Sequence, residues 1–248
     1  IRDFISAYLE LDDFSAAQPG RAYTIHSIYL DSPSLTTHLA TVNGDKNRFK
    51  LRLRYYDVTE ASPVFLEIKQ RIDGCILKQR CPVRRDFIPQ LLTGQLPDWN
   101  QILSQNPQHL SAAHRFYELQ NRLGAAPRLH NRYLREAWVS PDDNSIRITF
   151  DQQIFVEPWF ALHLADGVTA GRQIYAEFVV LEVKFTNRFP NWCQAMVEHF
   201  NLMRSAAMKY CGGVTELGEE LFQNVTALMT EPTATPRHPK GTIHELAV

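Results

Sequence analysis

The sequence predicts an α+β protein built on an antiparallel sheet, and three observations carry that expectation. Apolar and polar residues alternate in runs near 23–30, 48–57, 63–72, 75–84, 130–140, 144–156 and 173–186. Helical spacing replaces the alternation between about 86 and 123 and again after Pro190. Asp73-Gly74, set between two alternating runs, is a two-residue hairpin signal.

Taken in order, Phe4, Ile5, Tyr8, Leu9 and Leu11 lie at helical spacing, so residues 2–11 read as the end of an amphipathic helix. The Pro19-Gly20 break ends it, and the first four strand runs follow, with Asn43-Gly44-Asp45 as turn material between the first two. Leu110 to Leu123, stopped by Gly124, reads as a helix. Pro190 opens another, with Trp192, Met196, Phe200 and Met203 on one stripe and Gly212-Gly213 as its end. Glu231-Pro232-Thr233-Ala234-Thr235-Pro236 has the composition of a flexible tail. No repeat or linker divides the chain, so the expected organisation is one domain over residues 1–228 and a tail over 229–248.

Composition bounds the function. The chain has 248 residues, 44% of them hydrophobic, enough for a sizeable core. Its 26 Lys and Arg against 27 Asp and Glu exclude a histone-like nucleic-acid coat and an acidic solvating protein. Cys75, Cys81, Cys193 and Cys211 form no C-x-x-C pair and have no His at zinc-ligand spacing, which predicts free thiols in a reducing, cytoplasmic setting. No apolar run approaches the ~20 residues of a membrane span. Ile1 stands where a start Met would, with no basic-then-apolar leader behind it, so the expected chain has no signal peptide.

The informative feature is where the charges fall. Side chains alternate faces along a strand, so each run splits into two rows. Lys50, Arg52 and Arg54 share one face opposite Phe49, Leu51, Leu53 and Tyr55. Glu67, Lys69 and Arg71 oppose Leu66 and Ile68, and Lys78 and Arg80 oppose Leu77. Later runs place Arg135 against Leu134, Arg147 and Asp151 against Ile146, Ile148 and Phe150, and Glu182 and Lys184 against Leu181, Val183 and Phe185. Six runs thus carry a basic row with single acids set into it.

Three readings fit such rows. An antiparallel sheet can show one polar face to water, and cross-strand ion pairs can fill a face without any ligand. The third is a basic cavity with a few carboxylates, which suits a metal–polyphosphate ligand: Arg offers bidentate donors to phosphate, and a carboxylate holds the bridging Mg²⁺ or Mn²⁺. If the charged rows face inward in a barrel, helices near 86–123 and 190–210 must cover the outer apolar rows, and about eight strands leave room for one small ligand. No glycine-rich phosphate loop and no Ser-His-Asp or Cys-His pattern is present; His26, His38, His114, His163 and His199 read as ordinary surface or core residues.

From about Tyr23 to Val214 the chain resembles the VTC-type polyphosphate polymerase domains, a branch of the triphosphate tunnel metalloenzyme and CYTH-like proteins. The residues that carry the resemblance are Ser27-Ile28-Tyr29-Leu30-Asp31, Lys50-Leu51-Arg52-Leu53-Arg54-Tyr55, Phe65-Leu66-Glu67-Ile68-Lys69, Lys78-Gln79-Arg80, Arg132-Tyr133-Leu134-Arg135-Glu136-Ala137-Trp138, Ile146-Arg147-Ile148-Thr149-Phe150-Asp151, Leu181-Glu182-Val183-Lys184 and Met208-Lys209-Tyr210-Cys211. It implies an eight-stranded antiparallel β tunnel barrel with a charged lumen, flanked by helices. Family members carry an acidic/basic strand before their first helix, and this chain starts inside that helix, so the expectation is that a tunnel wall is either missing or lies upstream of Ile1. They also usually have Ser where this chain has Met208.

The implied activity is transfer of the γ-phosphate of ATP onto an inorganic polyphosphate chain with Mn²⁺ or Mg²⁺. Arg52, Arg54, Lys69, Arg135, Arg147 and Lys209 are the implied catalytic set. Lys50, Lys78, Arg80 and Lys184 join them in binding phosphate, and Glu182, with Glu67 added, is the implied metal site. Hydrolysis of triphosphate or a nucleoside triphosphate in the same tunnel, or polyphosphate binding without turnover, are the alternatives; nucleic acid is not an expected partner. The resemblance also allows a membrane partner or domain outside this chain, at the cytoplasmic face.

Overall fold

A computed structural model describes residues 1–223 apart from Asn144, Thr169 and Asn187. The tail expected over 229–248 lies outside the described residues. The first residues form one short helix, α1 (Arg2–Ile5), then β1 (Glu10–Leu11) and α2 (Asp13–Ala16). The helix expected over 2–11 therefore stops after a turn, because Glu10 and Leu11 pair with Val139 and Trp138 on a neighbouring strand. The strands β2 (Tyr23–Asp31), β3 (Arg48–Tyr55), β4 (Val64–Ile72) and β5 (Cys75–Val83) follow, with α3 (Thr36–Val42) between the first two. Asp73 and Gly74 both take positive φ, 46° and 92°, as a two-residue hairpin turn requires.

Two helices come next, α4 (Ile88–Leu92) and α5 (Pro107–Leu123). The Asn106 side chain accepts from the Gln108 amide at the start of α5, Pro107 occupies its first turn, and Gly124 ends it in the left-handed conformation. The remaining elements are β6 (Ala126–Val139), β7 (Ile146–Pro158), β8 (Arg172–Ile174), β9 (Val180–Phe185), α6 (Asn191–His199), α7 (Lys209–Leu217) and α8 (Glu220–Gln223).

All nine strands join one antiparallel sheet with the path β5-β4-β3-β2-β6-β7-β8, while β1 pairs with β6 and β9 with β7. The antiparallel sheet with flanking helices is as expected, but closure into the eight-stranded barrel is not seen: among the described residues β5 pairs only with β4 and β9 only with β7, so the sheet is open. Two local features divide its far edge. Gln153 takes φ 51° and bends β7, whose first half pairs with β9 and second half with β8. Tyr175, at φ 54°, then breaks the run expected over 173–186 into two strands.

The outer apolar rows are covered on both flanks. Leu51, Leu53, Leu66, Ile68 and Val83 pack against Phe87, Ile88, Leu91, Ala113 and Phe116 of α4, α5 and the turn before them. Ile148 and Phe150 pack with Trp138, Ile5 of α1 and Met196 of α6. The stripe expected on α6 ends early: the helix stops at His199, and Met203 is 88% exposed.

Gly212 and Gly213, expected to end that helix, lie inside α7. A Cβ on Gly212 would sit 2.8 Å from the Tyr175 hydroxyl, and one on Gly213 would sit 2.9 Å from Leu129 Cδ1. These glycines let α7 approach the sheet closely; they do not terminate it. The helix fills one end of the concave face among Tyr29, Leu129, Tyr133 and Val156.

Asp31 ties α7 to the end of β2. Its fully buried carboxylate accepts from the Ser32, Thr37 and His38 amides, the Thr37 hydroxyl and the Tyr210 hydroxyl, at 2.8–3.0 Å. Asp31→Ala leaves those donors without an acceptor. It is expected to destabilise the fold by about 3 kcal/mol, read as a lower urea midpoint at unchanged slope; a variant with the wild-type midpoint contradicts this anchoring role.

Candidate functional site: a charged concave face

Strand register assembles the site rung by rung. Tyr29, Arg52, Glu67 and Arg80 lie directly opposite one another across β2, β3, β4 and β5. The next rung along is Lys50, Lys69 and Lys78. On the other half Arg135 faces Asp151, Thr149 faces Glu182, and Arg147 faces Lys184 across β6, β7 and β9.

Two buried carboxylates organise these cations. Glu67, 1% exposed, takes Arg52 at 2.5 Å, Lys78 at 3.0 Å and Arg80 at 3.3 Å, with Arg54 at 3.9 Å. Burial opposes its charge, but Arg52, Arg54 and Lys78 outweigh burial and hold the carboxyl far below the ordinary carboxylate range. Asp151, fully buried, receives both arms of Arg135 at 2.6 and 2.7 Å and the Lys209 ammonium at 2.6 Å. Burial disfavours the Lys209 charge, and Asp151 more than restores it.

Glu182 stands apart from these two. Its side chain is 37% exposed, and its contacts with Arg135 at 3.5 Å and Lys184 at 3.3 Å both run through Oε2. Despite partial burial, Lys184, Lys209 and Arg135 lower its pKa to about 2, so it is a carboxylate at any physiological pH. Lys69 connects the two halves: burial and Arg52 lower its pKa, while Glu182 across the concavity raises it. Lys78 is lowered to about 8, by burial first, with Glu67 working in the opposite sense.

The structure thus gathers Arg52, Arg54, Lys78 and Arg80 at one carboxylate and Arg135 and Lys209 at another, with Lys184 beside Glu182 and Lys69 within the reach of its charge. Arg147 is directed elsewhere, to Asp12 at 2.6 Å, where Asp12 also caps α2. Lys50 shares its rung only with other lysines, Lys69 and Lys78.

Several participants escaped the sequence reading. Asp12 lay just past the run 2–11 that read as the end of a helix, and nothing in its neighbours marks it. Ser27 and Tyr133 contact Arg54, and the Tyr29 hydroxyl contacts Arg52 at 3.3 Å. Burial resists ionisation of Tyr29, yet Arg52 and Arg54 hold its pKa below the usual tyrosine value. The signal for Ser27 and Tyr29 was available, since period two places them on one face of β2.

No three His, Cys, Asp or Glu side chains converge as a metal cage among the described residues. The donor set fits a different arrangement. Mg²⁺ and Mn²⁺ accompanying phosphate need only one or two protein carboxylates, the rest being phosphate oxygens and water. Glu182, charged and partly open, meets that requirement. Glu67 has both oxygens within ion-pair distance of cations.

A family model described as the VTC domain matches residues 1–217. The chain belongs to the VTC domain family. No curated protein matches it. Among solved structures, a proposed adenylate cyclase from Bacillus halodurans is similar at 9% identity and a TM-score of 0.44, over 83% of this chain and 86% of that one. No helix among the described residues of this VTC-domain protein is long and apolar enough to cross a membrane.

The buried pairing at Glu67 has a measurable consequence. A carboxyl whose folded pKa is depressed contributes stability that is complete above its unfolded value, about 4.3, and is lost as pH falls toward the folded one. Glu67→Gln is expected to cost about 3 kcal/mol at pH 7 by leaving four cations unbalanced. The gap to wild type should narrow as pH drops below about 4, as read by denaturant midpoints across pH. A gap that is absent at pH 7, or that widens in acid, contradicts this role.

Proposed function

We propose that this protein is an ATP-dependent polyphosphate polymerase, moving the γ-phosphate of ATP onto the end of an inorganic polyphosphate chain. One observation carries the reading. The concave face concentrates Arg and Lys around two buried, ion-paired carboxylates, Glu67 and Asp151, and leaves a third, Glu182, charged and partly open. That is the complement of a polyphosphate with its divalent ion.

Phosphoryl transfer depends mainly on positioning and charge neutralisation. A terminal phosphate is already ionised near neutral pH, so its oxygen attacks the γ-phosphorus without a general base. The bond from that phosphorus to the β,γ-bridging oxygen breaks, ADP leaves, and the chain is one unit longer. Arg52, Arg54 and Arg135 present guanidinium groups fixed by Glu67, Tyr133 and Asp151, so they need little reorganisation as charge shifts. Lys69 and Lys209 neutralise the phosphates between the two halves, and Lys50, Lys78, Arg80 and Lys184 extend the basic face along the chain. Arg147 joins them by exchanging Asp12 for phosphate. Glu182 holds Mn²⁺ or Mg²⁺, which when bound neutralises phosphate oxygens as a Lewis acid. Glu67 acts as a positioning anion for the cations around it.

The full-length protein incubated with ATP and Mn²⁺ should yield polyphosphate and ADP, and Glu182→Ala should lower that rate on the order of 10²-fold or more. Phosphate released without polymer identifies a hydrolase instead, and tight metal-independent polyphosphate binding with neither ADP nor phosphate released identifies a binding module.

Lys78 provides a second test. Its charge is lost as pH rises through about 8, so tripolyphosphate affinity should fall between pH 7 and pH 9, and Lys78→Arg, which stays charged, should flatten that fall. A variant with the wild-type profile removes Lys78 from the phosphate path.

A further inference from the structure

The opposite face of the same strands carries a polar chain that the phosphate chemistry does not use. His26 alternates with Ser27 and Tyr29 on β2 and so points away from the concave face. Its Nδ1 lies 3.0 Å from His130 Nε2, and His130 Nδ1 lies 2.8 Å from Glu157 Oε1. His26, His130 and Glu157 are 5%, 0% and 5% exposed, so the chain runs through the interior.

One arrangement of protons satisfies the chain when each imidazole carries a single proton. With both imidazoles neutral, the Glu157 carboxylate accepts from His130 Nδ1–H and His130 Nε2 accepts from His26 Nδ1–H. The His26 Nε2 lone pair is then left over. Burial, followed by His130 and Arg132, lowers the His26 pKa to about 4, which keeps that ring neutral near pH 7. Nε2 has no partner among the described residues.

His26 lines a cavity of about 560 Å³ together with Thr24, Tyr56, Asp57, Arg132 and Asp166, a volume within the ordinary range for small-molecule sites; the Asp57 carboxylate already accepts from the Thr59 amide and the Ser62 hydroxyl, both at 2.8 Å. Arg132 is directly opposite His26 in the β2–β6 register. Neither Arg132 nor Asp166 forms an ion pair with another described residue, although they are opposite charges lining one cavity. The walls are anchored: the Tyr55 hydroxyl donates to the Ala165 carbonyl at 2.7 Å beside Asp166, and the Tyr55 ring stacks on His26 with centroids 4.8 Å apart.

We propose that this cavity binds a small zwitterion of the α-amino-acid type, with its carboxylate on Arg132 and its ammonium shared between Asp166 and His26 Nε2. A satisfied structural network would end on a protein partner; with one proton on each imidazole this one ends on an accepting nitrogen, in a cavity that Arg132 and Asp166 also line. An anion alone would leave Asp166 repelling it, and a cation alone would leave Arg132 doing so. The site does not depend on the reading given for the concave face.

The test uses the full chain with ¹⁵N-labelled histidine, titrated with each of the twenty common L-amino acids up to about 10 mM, a range that reaches millimolar affinities of about −4 kcal/mol. Acetate and methylammonium serve as half-molecule controls. At least one amino acid is expected to shift the His26 Nε2 resonance saturably. Binding should weaken at least about tenfold for either half-molecule and in each of Arg132→Gln and Asp166→Asn, with the denaturant midpoint of both variants unchanged to show that they fold. The proposal is overturned if no amino acid gives a saturable shift, if acetate or methylammonium binds as well as the intact zwitterion, or if both variants keep wild-type affinity.

Discussion

Arg52, Lys78 and Arg80 approach one carboxylate, Glu67, within 3.3 Å, and Arg54 lies 3.9 Å from it. Four cations on neighbouring strands would repel one another and the sheet would bear the cost, since like charges set opposite each other across strands are destabilising. Glu67 and Asp151 remove that cost from inside the fold. Because both are almost fully buried, their fields are little screened, and the guanidinium groups they hold keep fixed directions. The basic character of the concave face therefore depends on acids, and a count of bases alone misses how it is held.

Packing adds the second constraint. The charged rows are turned inward because the opposite rows are apolar and covered, by α4 and α5 on one flank and by α1 and α6 on the other. The helix α7 has two roles at once. Its glycines allow it to lie close to Tyr175, Leu129 and Val156, and that closeness brings Lys209 at its start within reach of Asp151. Asp31 then fixes α7 to β2 through Tyr210. Core and site share the same contacts here, so a change in one is felt in the other.

Much of this was legible along the chain. The alternation that separates Lys50, Arg52 and Arg54 from Leu51 and Leu53 is local, and any extended strand must show it. Helix signals built on glycine are weaker: Gly212 and Gly213 carry no mark that tells a helix end from a close helix–sheet approach, because the deciding atoms belong to Tyr175, Leu129 and Val156. Met203 fitted the apolar spacing of α6, but the helix stopped before it. Glu10 and Leu11 fitted a helix until pairing with Val139 and Trp138 claimed them. The pairing of Arg147 with Asp12 and the His26–His130–Glu157 chain link residues more than a hundred positions apart or on three different strands, and no spacing rule finds them.

By itself the sequence determined which residues share a face along the long strands, where the main hairpin turns, and that a chain of net charge −1 could still present a basic surface. These follow from the two-residue period of a strand and from turn chemistry, both of which act over a few neighbours. Tertiary structure alone decided that the sheet stays open among the described residues, that both oxygens of Glu67 lie within ion-pair distance of cations while Glu182 keeps an accessible carboxylate, and that His26 reaches a cavity on the other side. Those outcomes depend on curvature, on which distant charges come within a few ångströms, and on how much water each group keeps.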